Sequence, residues 1–538
     1  MKLKDYSSTG IMLMLGVKAA AAGVPLYKTS LDIPGVGRVQ GAAAVTGNGT
    51  ASVKGSEGIS FFGNIPYGAD TSGENRWRAP QPAAVWNNTL NATSFGPICP
   101  QDNPALEVYT MSEDCLSLNI WTPATSSDEK LPVAIWSYGA GTAPPQSGYN
   151  GAGVAAKGII FVSYNYRAGI FGFLANPDLP ATNASTTASG NWGVLDQFAA
   201  VKWVHENIAA FGGDPDHITV MGQSFGSGAT YHIVNSPLTA DLGIVNAICE
   251  SGVTWPSDPY TGEQANAYIN QSAANAAGTE ALSALNVSSV AEARALSFDS
   301  VLSGTSALTM SFLPVLDFYA IPDTYSNTLL KTGAGNKVPF LAGFNADESG
   351  ASSTLNVTVG QYQAFVEGFY GNQASEILKL YPSDNDSQAS VSQSDLVREH
   401  FRVSTWLFMN AFSESGNNVS TYTYYWNHSP PGGEGASHGS EIVYVLGNLW
   451  AQSDVAYTAA DYHISEVMSE YWANFIKTGN PNHSEYIQNL VSLPAEWNAA
   501  SAEAMQVFQV GQDFRMIPVA GTSKVEMFEA FFSAQTSY

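Results

Sequence analysis

The chain has 538 residues, of which 45% are hydrophobic and 12% charged, and its formal net charge at pH 7 is -25. This length is enough to bury a large core, and the negative balance argues against nucleic acid and anionic membrane surfaces as partners. The residues that match one chemical site are spread from 138 to 438, so we expect residues 23–538 to form a single domain.

The N-terminal segment 1–22 has the features of a secretory signal peptide. Lys2 and Lys4 give it a basic start, Ile11–Val17 is a short apolar run, and Ala20–Ala22 offers a cleavage site of small residues. The alternative is a disordered tail that stays attached. No other segment approaches the length of a transmembrane helix, so stable membrane insertion is not expected. Asn-x-Ser/Thr sequons favour a secreted glycoprotein, at Asn48, Asn87, Asn91, Asn183, Asn270, Asn286, Asn356, Asn385, Asn418, Asn427 and Asn482.

From about residue 115 onward, apolar strands alternate with helices. This alternation predicts an α/β protein with a large, mostly parallel central sheet flanked by helices. Residues 260–300 and 355–410 are rich in Ala and Ser and predict helical cap insertions. The predicted elements, in chain order, are strands over 116–121, 131–137 and 158–164, a helix over 197–210, strands over 217–221 and ending at 247–250, strands over 338–344 and 421–426, and a helix over 465–478.

The most informative segment is Gly222-Gln223-Ser224-Phe225-Gly226, which follows the apolar run His217–Met221. Gly-x-Ser-x-Gly between a strand and a helix is the nucleophile elbow of the α/β-hydrolase fold. Its glycines let the strand and the helix pass closely around a strained serine. We therefore expect an α/β-hydrolase whose nucleophile is Ser224.

A serine nucleophile needs a base and an acid, and in this fold the acid follows the serine and the histidine comes last. His438 is the preferred base over His428, because small residues flank it in a loop after a strand. Asp347 and Glu348 both follow the strand 338–344, and spacing does not separate them. The other histidines are expected to be structural (His205, His217, His232) or exposed in polar segments (His400, His463, His483).

Three cysteines are present. Cys99 and Cys115 flank a polar loop that a disulfide would close, with a stabilisation of about 3 kcal/mol in the chain-entropy model. Cys249 lies in an apolar run and is expected to be a buried free thiol rather than a nucleophile. The cysteines and histidines show no metal-ligand spacing, and we expect no metal and no cofactor.

The chain resembles the type-B carboxylesterase/lipase family, which includes the cholinesterases, as a secreted, fungal-like member. The resemblance extends from about residue 40 to 520. It rests on segments along the whole chain: Ile65–Tyr67, Arg76–Pro80, Ser112–Asn119, Asn165–Arg167, Gly190–Gln197, Phe211–Pro215, Trp472–Phe475 and Gly479–Asn482.

The resemblance implies roles for several residues. Glu348, rather than Asp347, would be the acid, and the segment His438-Gly439-Ser440-Glu441 would carry the base. Cys99 and Cys115 would be bonded. Ser251 would support the triad of Ser224, Glu348 and His438 without being a member of it.

The resemblance also implies an oxyanion hole made of backbone N–H groups. By position these groups belong to Ala140 and Gly141, in the loop after strand 131–137, and to Phe225. Two residues depart from the family: Ala140 stands where glycine is common, and Phe225 where alanine is common. A phenyl ring there would narrow or reshape the acyl site. Gln223 replaces a common glutamate and so removes a negative charge.

These observations predict a secreted serine esterase that hydrolyses small-molecule carboxylic esters through an acyl-enzyme intermediate. The 99–115 loop has Tyr109 as its one aromatic residue, where cholinesterases carry a tryptophan that stacks on choline. The loop is also shorter than the lid of the family's lipases. The rival hypotheses are an acyltransferase or lactone-forming enzyme with the same triad, a lipase or sterol esterase, and a non-catalytic cholinesterase-like binding protein.

Overall fold

The structure is a computed structural model that describes residues 23–44, 58–182, 187–262, 268–308, 312–482 and 494–537. The predicted signal peptide and the sequons at Asn48 and Asn183 lie outside these ranges. The strands are β1 Leu31–Ile33, β2 Gly37–Gln40, β3 Ala42–Ala43, β4 Ser60–Pro66, β5 Thr89–Asn91, β6 Ser117–Thr122, β7 Leu131–Ser137, β8 Ile160–Tyr164, β9 Gly213–Gln223, β10 Ile244–Glu250, β11 Phe340–Asn345, β12 Thr421–Trp426, β13 Gln506–Val510 and β14 Arg515–Pro518.

The α-helical segments lie between and after these strands. They are α1 Ala152–Ala155, α2 Gly169–Phe173, α3 Trp192–Asn207, α4 Phe225–Asn235, α5 Gln271–Ala284, α6 Val290–Arg294, α7 Phe298–Thr305, α8 Tyr325–Asn327, α9 Val359–Tyr370, α10 Ala374–Leu380, α11 Asp386–Phe412, α12 Ile442–Val445, α13 Ala459–Thr478 and α14 Thr522–Ser533.

A central sheet of eleven strands has the order β14-β13-β12-β11-β10-β9-β7-β8-β6-β4-β3. The seven strands from β13 to β8 pair in parallel. The pairs at both edges are antiparallel. The prediction of a large, mostly parallel sheet flanked by helices is therefore confirmed, and parallel strands bring their carboxyl ends to one edge.

The central strands are buried on both faces, which explains their continuous apolar sequences. Every residue of β8, β11 and β12 is buried. The helix predicted over 197–210 begins earlier, at Trp192, and ends at Asn207. The first three residues of α3, Trp192–Val194, are all buried, so they carry no amphipathic pattern that would show where the helix starts.

The helical segments that were predicted as cap insertions are present as α5–α7 and α9–α11. Helices α5, α6 and α7 contribute to a second, smaller apolar core with Trp77, Ile170, Phe171 and Trp192. Within the described ranges, no helix is both long enough and apolar enough to cross a membrane.

The expectation that His400 is exposed is wrong. Its side chain is fully buried in α11, where Nε2 lies 2.9 Å from Asp258 Oδ1 and Nδ1 lies 3.0 Å from the Tyr370 hydroxyl. Helix α14 covers this stretch, and the Phe528 and Phe532 rings pack edge-on against the imidazole. A polar position on α11 is therefore buried because polar groups outside the helix, on Asp258 and Tyr370, satisfy its hydrogen bonds.

Candidate active site

The elbow lies at the end of β9, in the middle of the parallel sheet. Ser224 has φ 57° and ψ -123°, a conformation that a non-glycine residue adopts only when its surroundings enforce it. Its N–H donates to the Glu250 carbonyl at 2.9 Å. A Cβ on Gly226 would lie 1.8 Å from the Ser137 carbonyl oxygen, so only glycine allows α4 to leave the sheet here. The local sequence thus enforces the sharp turn.

His438 and Glu348 come together from two loops that follow neighbouring strands. Glu348 Oε2 lies 2.6 Å from His438 Nδ1, and Glu348 Oε1 accepts the Asn345 N–H at 3.1 Å. Burial lowers the pKa of His438, but the hydrogen bond and charge of Glu348, with the charge of Glu441, outweigh it and raise the pKa to about 9. Nδ1 therefore carries the proton that Glu348 accepts, which leaves Nε2 of the neutral ring as an acceptor.

The neighbouring carboxylate, Asp347, has different partners. It pairs with Arg398 at 2.5 Å and accepts the Ala436 N–H at 2.9 Å. The structure thus brings Glu348, and not Asp347, to the imidazole. His428 lies elsewhere, with Nε2 2.7 Å from Asp461 Oδ1.

Gln223 connects the elbow to the imidazole directly. Its side-chain Nε2 lies 3.1 Å from His438 Nε2 and can donate a hydrogen bond to it when the ring is neutral. Within the described part of the chain, Ser224 Oγ makes no hydrogen bond. The imidazole of His438 therefore contacts the side chain of Gln223 rather than that of Ser224. His438 is 45% exposed, and its open side faces solvent.

The loop after β7 lies against the elbow. A Cβ on Gly139 would be 3.3 Å from the Cβ of Ser224. The N–H groups of Ala140 and Gly141 have no hydrogen-bond acceptor among the described residues. They are therefore free to donate to a ligand.

A cavity of about 410 Å³ opens beside this loop. Gly139, Ala140, Gly141 and Phe225 lie in its wall. The Phe225 ring stacks on Tyr166, with centroids 6.3 Å apart and planes at 11°, and packs edge-on against Phe173. The residue after the serine therefore shapes the cavity, as the sequence suggested. Other lining residues are Gln101, Asp102, Asn103, Tyr138, Phe171, Leu302, Leu308 and Phe312.

Cys99 and Cys115 form a disulfide, as the family resemblance implied. The loop that it closes carries Gln101 and Asn103 to the cavity. Tyr109 does not line the cavity; it packs in a small separate core with Ile98 and Leu106. Cys249 is a buried free thiol, and burial raises its pKa far above the ordinary value.

Two buried carboxyl groups, those of Glu441 and Glu250, belong to residues close to His438 and Ser224. Burial raises the pKa of Glu441 to about 7, although a hydrogen bond from Asn345 acts to lower it. Burial, together with the charge of Glu441, raises the pKa of Glu250 well above its usual range. Trp472 Nε1 donates to Glu250 at 2.8 Å. Ser251 follows at φ 49°, and its buried hydroxyl lies beside the hydroxyl of Tyr424.

Sequence reasoning did not single out Glu250 or Asn345. The signal for Glu250 was a carboxyl group at the end of an otherwise apolar strand, next to the noted Ser251. Across the six described ranges, no group of three or more His, Cys, Asp or Glu side chains is arranged to hold a metal ion.

The sheet order and the serine at a strained strand-to-helix turn define an α/β-hydrolase. The family model described as "Carboxylesterase family" matches residues 28–528. The chain belongs to the carboxylesterase family.

Curated relatives agree with this assignment. The chain is 33% identical to the fumonisin B1 esterase of Sphingopyxis macrogoltabida, over 80% of this chain and 82% of that protein. It is 32% identical to the para-nitrobenzyl esterase of Bacillus subtilis (strain 168), over 80% and 89% of the two chains. A solved structure titled PNB esterase superposes with a TM-score of 0.75 at 26% identity, covering 93% of this chain and 99% of the other. The protein is therefore a carboxylic ester hydrolase that acts on small-molecule esters.

Proposed function

We propose that Ser224, His438 and Glu348 are the catalytic triad of this esterase. The observation that carries the proposal is the 2.6 Å contact between Glu348 and His438 Nδ1, which orients Nε2 toward the elbow. Serine is a weak nucleophile unless a base removes its proton, and the acid sets the tautomer of that base. The order serine, acid, histidine along the chain is the one that this fold requires.

The reaction then proceeds in two acyl transfers. Ser224 Oγ attacks the ester carbonyl while His438 Nε2 takes its proton and passes it to the leaving alcohol. Water, activated by the same histidine, hydrolyses the acyl-enzyme. In both steps Glu348 stabilises the imidazolium that forms. Because Gln223 contacts Nε2 in the resting protein, the ring must exchange this contact for one with Ser224 as the reaction begins.

The oxyanion of each tetrahedral intermediate would be held by the N–H groups of Ala140, Gly141 and Phe225. The first two have no acceptor among the described residues, and the third is the first helical residue of α4. The N-terminus of a helix leaves such groups free, and its dipole favours negative charge. The donors are backbone groups, so the departures from the family at Ala140 and Phe225 do not remove them.

The cavity favours neutral esters with an aromatic or moderately apolar group. Its wall includes Tyr138, Tyr166, Phe171, Phe225 and Phe312. None of the described residues that line it is basic, and Asp102 is acidic, so an anionic group gains no counter-charge there. Because one relative is a para-nitrobenzyl esterase, p-nitrobenzyl esters are suitable first substrates.

We also propose that the protein is secreted and glycosylated. The disulfide is typical of an oxidising compartment. Of the nine sequons whose asparagine is described, seven have an exposed asparagine, where the folded protein leaves room for an oligosaccharide: Asn87, Asn91, Asn270, Asn286, Asn356, Asn385 and Asn418. Expression in a eukaryotic secretory host, followed by deglycosylation and N-terminal sequencing, tests this. An unprocessed N-terminus and an unchanged mass would contradict it.

The triad is tested by Ser224→Ala, assayed with p-nitrophenyl butyrate. We expect the loss of all but trace activity with an unchanged circular dichroism spectrum, because a triad acts as a unit. The matched control is Ser227→Ala, three residues further on in the first turn of α4, which should keep most of the activity. Product analysis with an added alcohol separates hydrolysis from acyl transfer. An active Ser224→Ala variant would show that the proposed nucleophile is wrong.

A further inference from the structure

Thr142 follows the two oxyanion residues but points back at the peptide before them. Its hydroxyl donates to the Gly139 carbonyl at 2.7 Å. In a trans peptide, the carbonyl and the next N–H point in opposite directions. The hydrogen bond at the Gly139 oxygen therefore also fixes the direction of the Ala140 N–H.

The position of this peptide makes its orientation important. A Cβ on Gly139 would lie 3.2 Å from the Gln223 carbonyl oxygen and 3.3 Å from Ser224 Cβ. The Gly139–Ala140 peptide thus lies directly against the nucleophile. Two of the three residues from 139 to 141 are glycines, so the segment has little conformational preference of its own.

A second side chain, that of Asn103, holds the loop at Gly141. Asn103 Nδ2 donates to the Gly141 carbonyl at 2.7 Å, where Gly141 has φ 68°. Asn103 is itself fixed, because its Oδ1 accepts the Ala105 N–H at 3.0 Å and its loop is closed by the disulfide at Cys99. The oxyanion loop is therefore braced by Thr142 from within and by Asn103 from the disulfide loop.

We infer that Thr142 and Asn103 are positioning residues of the oxyanion loop of this esterase. Thr142 aims the Ala140 donor, and Asn103 anchors the peptide that follows Gly141. The inference rests on the proposed function, in which Ala140 and Gly141 supply those donors. Thr142 acts through the Gly139 peptide rather than on the substrate. Negative charge develops on the carbonyl oxygen of the ester only on the way to the tetrahedral intermediate. A misaimed donor therefore reduces the stabilisation of the transition state and leaves substrate binding unchanged.

The test compares Thr142→Val, which keeps the shape and removes the hydroxyl, with Thr142→Ser, which keeps the hydroxyl. Removing an oxyanion donor costs about 100- to 1,000-fold in kcat. Loosening a donor without removing it should lower kcat by less, about tenfold, and leave KM nearly unchanged. The affinity for a trifluoromethyl ketone, which forms a tetrahedral adduct with serine, should fall by the same factor. Thr142→Ser should retain most of the kcat and most of the inhibitor affinity of the wild type. If the valine variant does not fold, Thr142→Ala replaces it.

Asn103→Asp gives an independent arm, because the carboxylate retains an acceptor for Ala105 but cannot donate to Gly141. We expect a fall in kcat here too. The control is Thr279→Val, which removes an exposed helical hydroxyl bonded to the Asn275 carbonyl at 2.9 Å, far along the chain from the loop.

Three results would overturn the inference: an unchanged kcat and inhibitor affinity in Thr142→Val, equal impairment in Thr142→Ser, or a rise confined to KM. An active Ser224→Ala variant would instead overturn the proposed function. An inactive Ser224→Ala variant beside a fully active Thr142→Val variant would overturn the positioning role alone.

Discussion

The contact between Gln223 and His438 makes a quantitative prediction for Gln223→Glu, which restores the glutamate common in the family. The two side-chain nitrogens are 3.1 Å apart, so a carboxylate at this place puts a unit charge at about that distance from the imidazolium. Because His438 is 45% exposed, the dielectric constant of water is the conservative choice. Coulomb's law then gives about 1.3 kcal/mol, which corresponds to about one pKa unit.

Only the neutral imidazole can accept the serine proton, so kcat/KM should rise with pH as His438 loses its proton. With its pKa raised to about 9, the acid limb of wild type should lie well above the ordinary histidine value of 6.5. Gln223→Glu should move the limb upward by about one unit, which lowers kcat/KM about tenfold along the limb and little above it.

The assay is the pH dependence of kcat/KM, measured by pH-stat titration with an alkyl ester that hydrolyses slowly on its own. Each sample is returned to pH 8 afterwards to check that activity is recovered. Gln223→Met is the matched control, since it removes the hydrogen bond without adding charge. An unshifted limb in Gln223→Glu, or an equal loss of kcat/KM at every pH, would refute the electrostatic reasoning.

Three further predictions concern the pocket, the acid and the core. Phe225→Ala enlarges the cavity and should shift the preference from butyrate toward longer acyl chains. The gain should be up to about fourfold in kcat/KM for each added methylene that is buried, since burial of a methylene is worth about 0.8 kcal/mol. A series of p-nitrophenyl esters measures this preference, and an unchanged optimum would contradict the prediction. Glu348→Gln should lower kcat about 10,000-fold. It should also move the acid limb down toward 6.5, because the charge that raises the pKa of His438 is lost and any remaining hydrogen bond is to a neutral amide. A limb that stays near 9 would show that Glu348 is not the partner. Burial lowers the pKa of His232 to about 4, so the unfolded chain binds a proton that the folded chain refuses between pH 6.5 and 4. Over that range stability should fall by up to about 3 kcal/mol, and His232→Gln should lose less in urea midpoint between pH 7 and pH 4.5; equal losses in both proteins would contradict the assignment.

The elbow could be predicted from sequence because its requirements are local. Two glycines and an apolar strand within ten residues enforce the turn, and the structure places Gly226 where a Cβ would collide with Ser137. Asp347 and Glu348 could not be separated by spacing, because both follow β11. Their side chains go to opposite partners, Arg398 and His438, which lie on distant segments.

Contacts between distant segments were the features that the sequence could not predict. Gln223 and His438 are 215 residues apart, and Thr142 acts through a peptide whose direction depends on the whole loop. The wrong prediction for His400 has the same cause. Its helix has a polar sequence, and only the packing of α14 and the partner Asp258 make the position buried.

In the proposed mechanism Ser224 carries the acyl group during turnover. Mass spectrometry of enzyme quenched within milliseconds of mixing with p-nitrophenyl acetate tests this. We expect a burst of about one p-nitrophenolate per chain and a single acetyl group on the peptide that contains Ser224, with no adduct in Ser224→Ala. An acetyl group on another residue, or hydrolysis by Ser224→Ala at the wild-type rate, would contradict it.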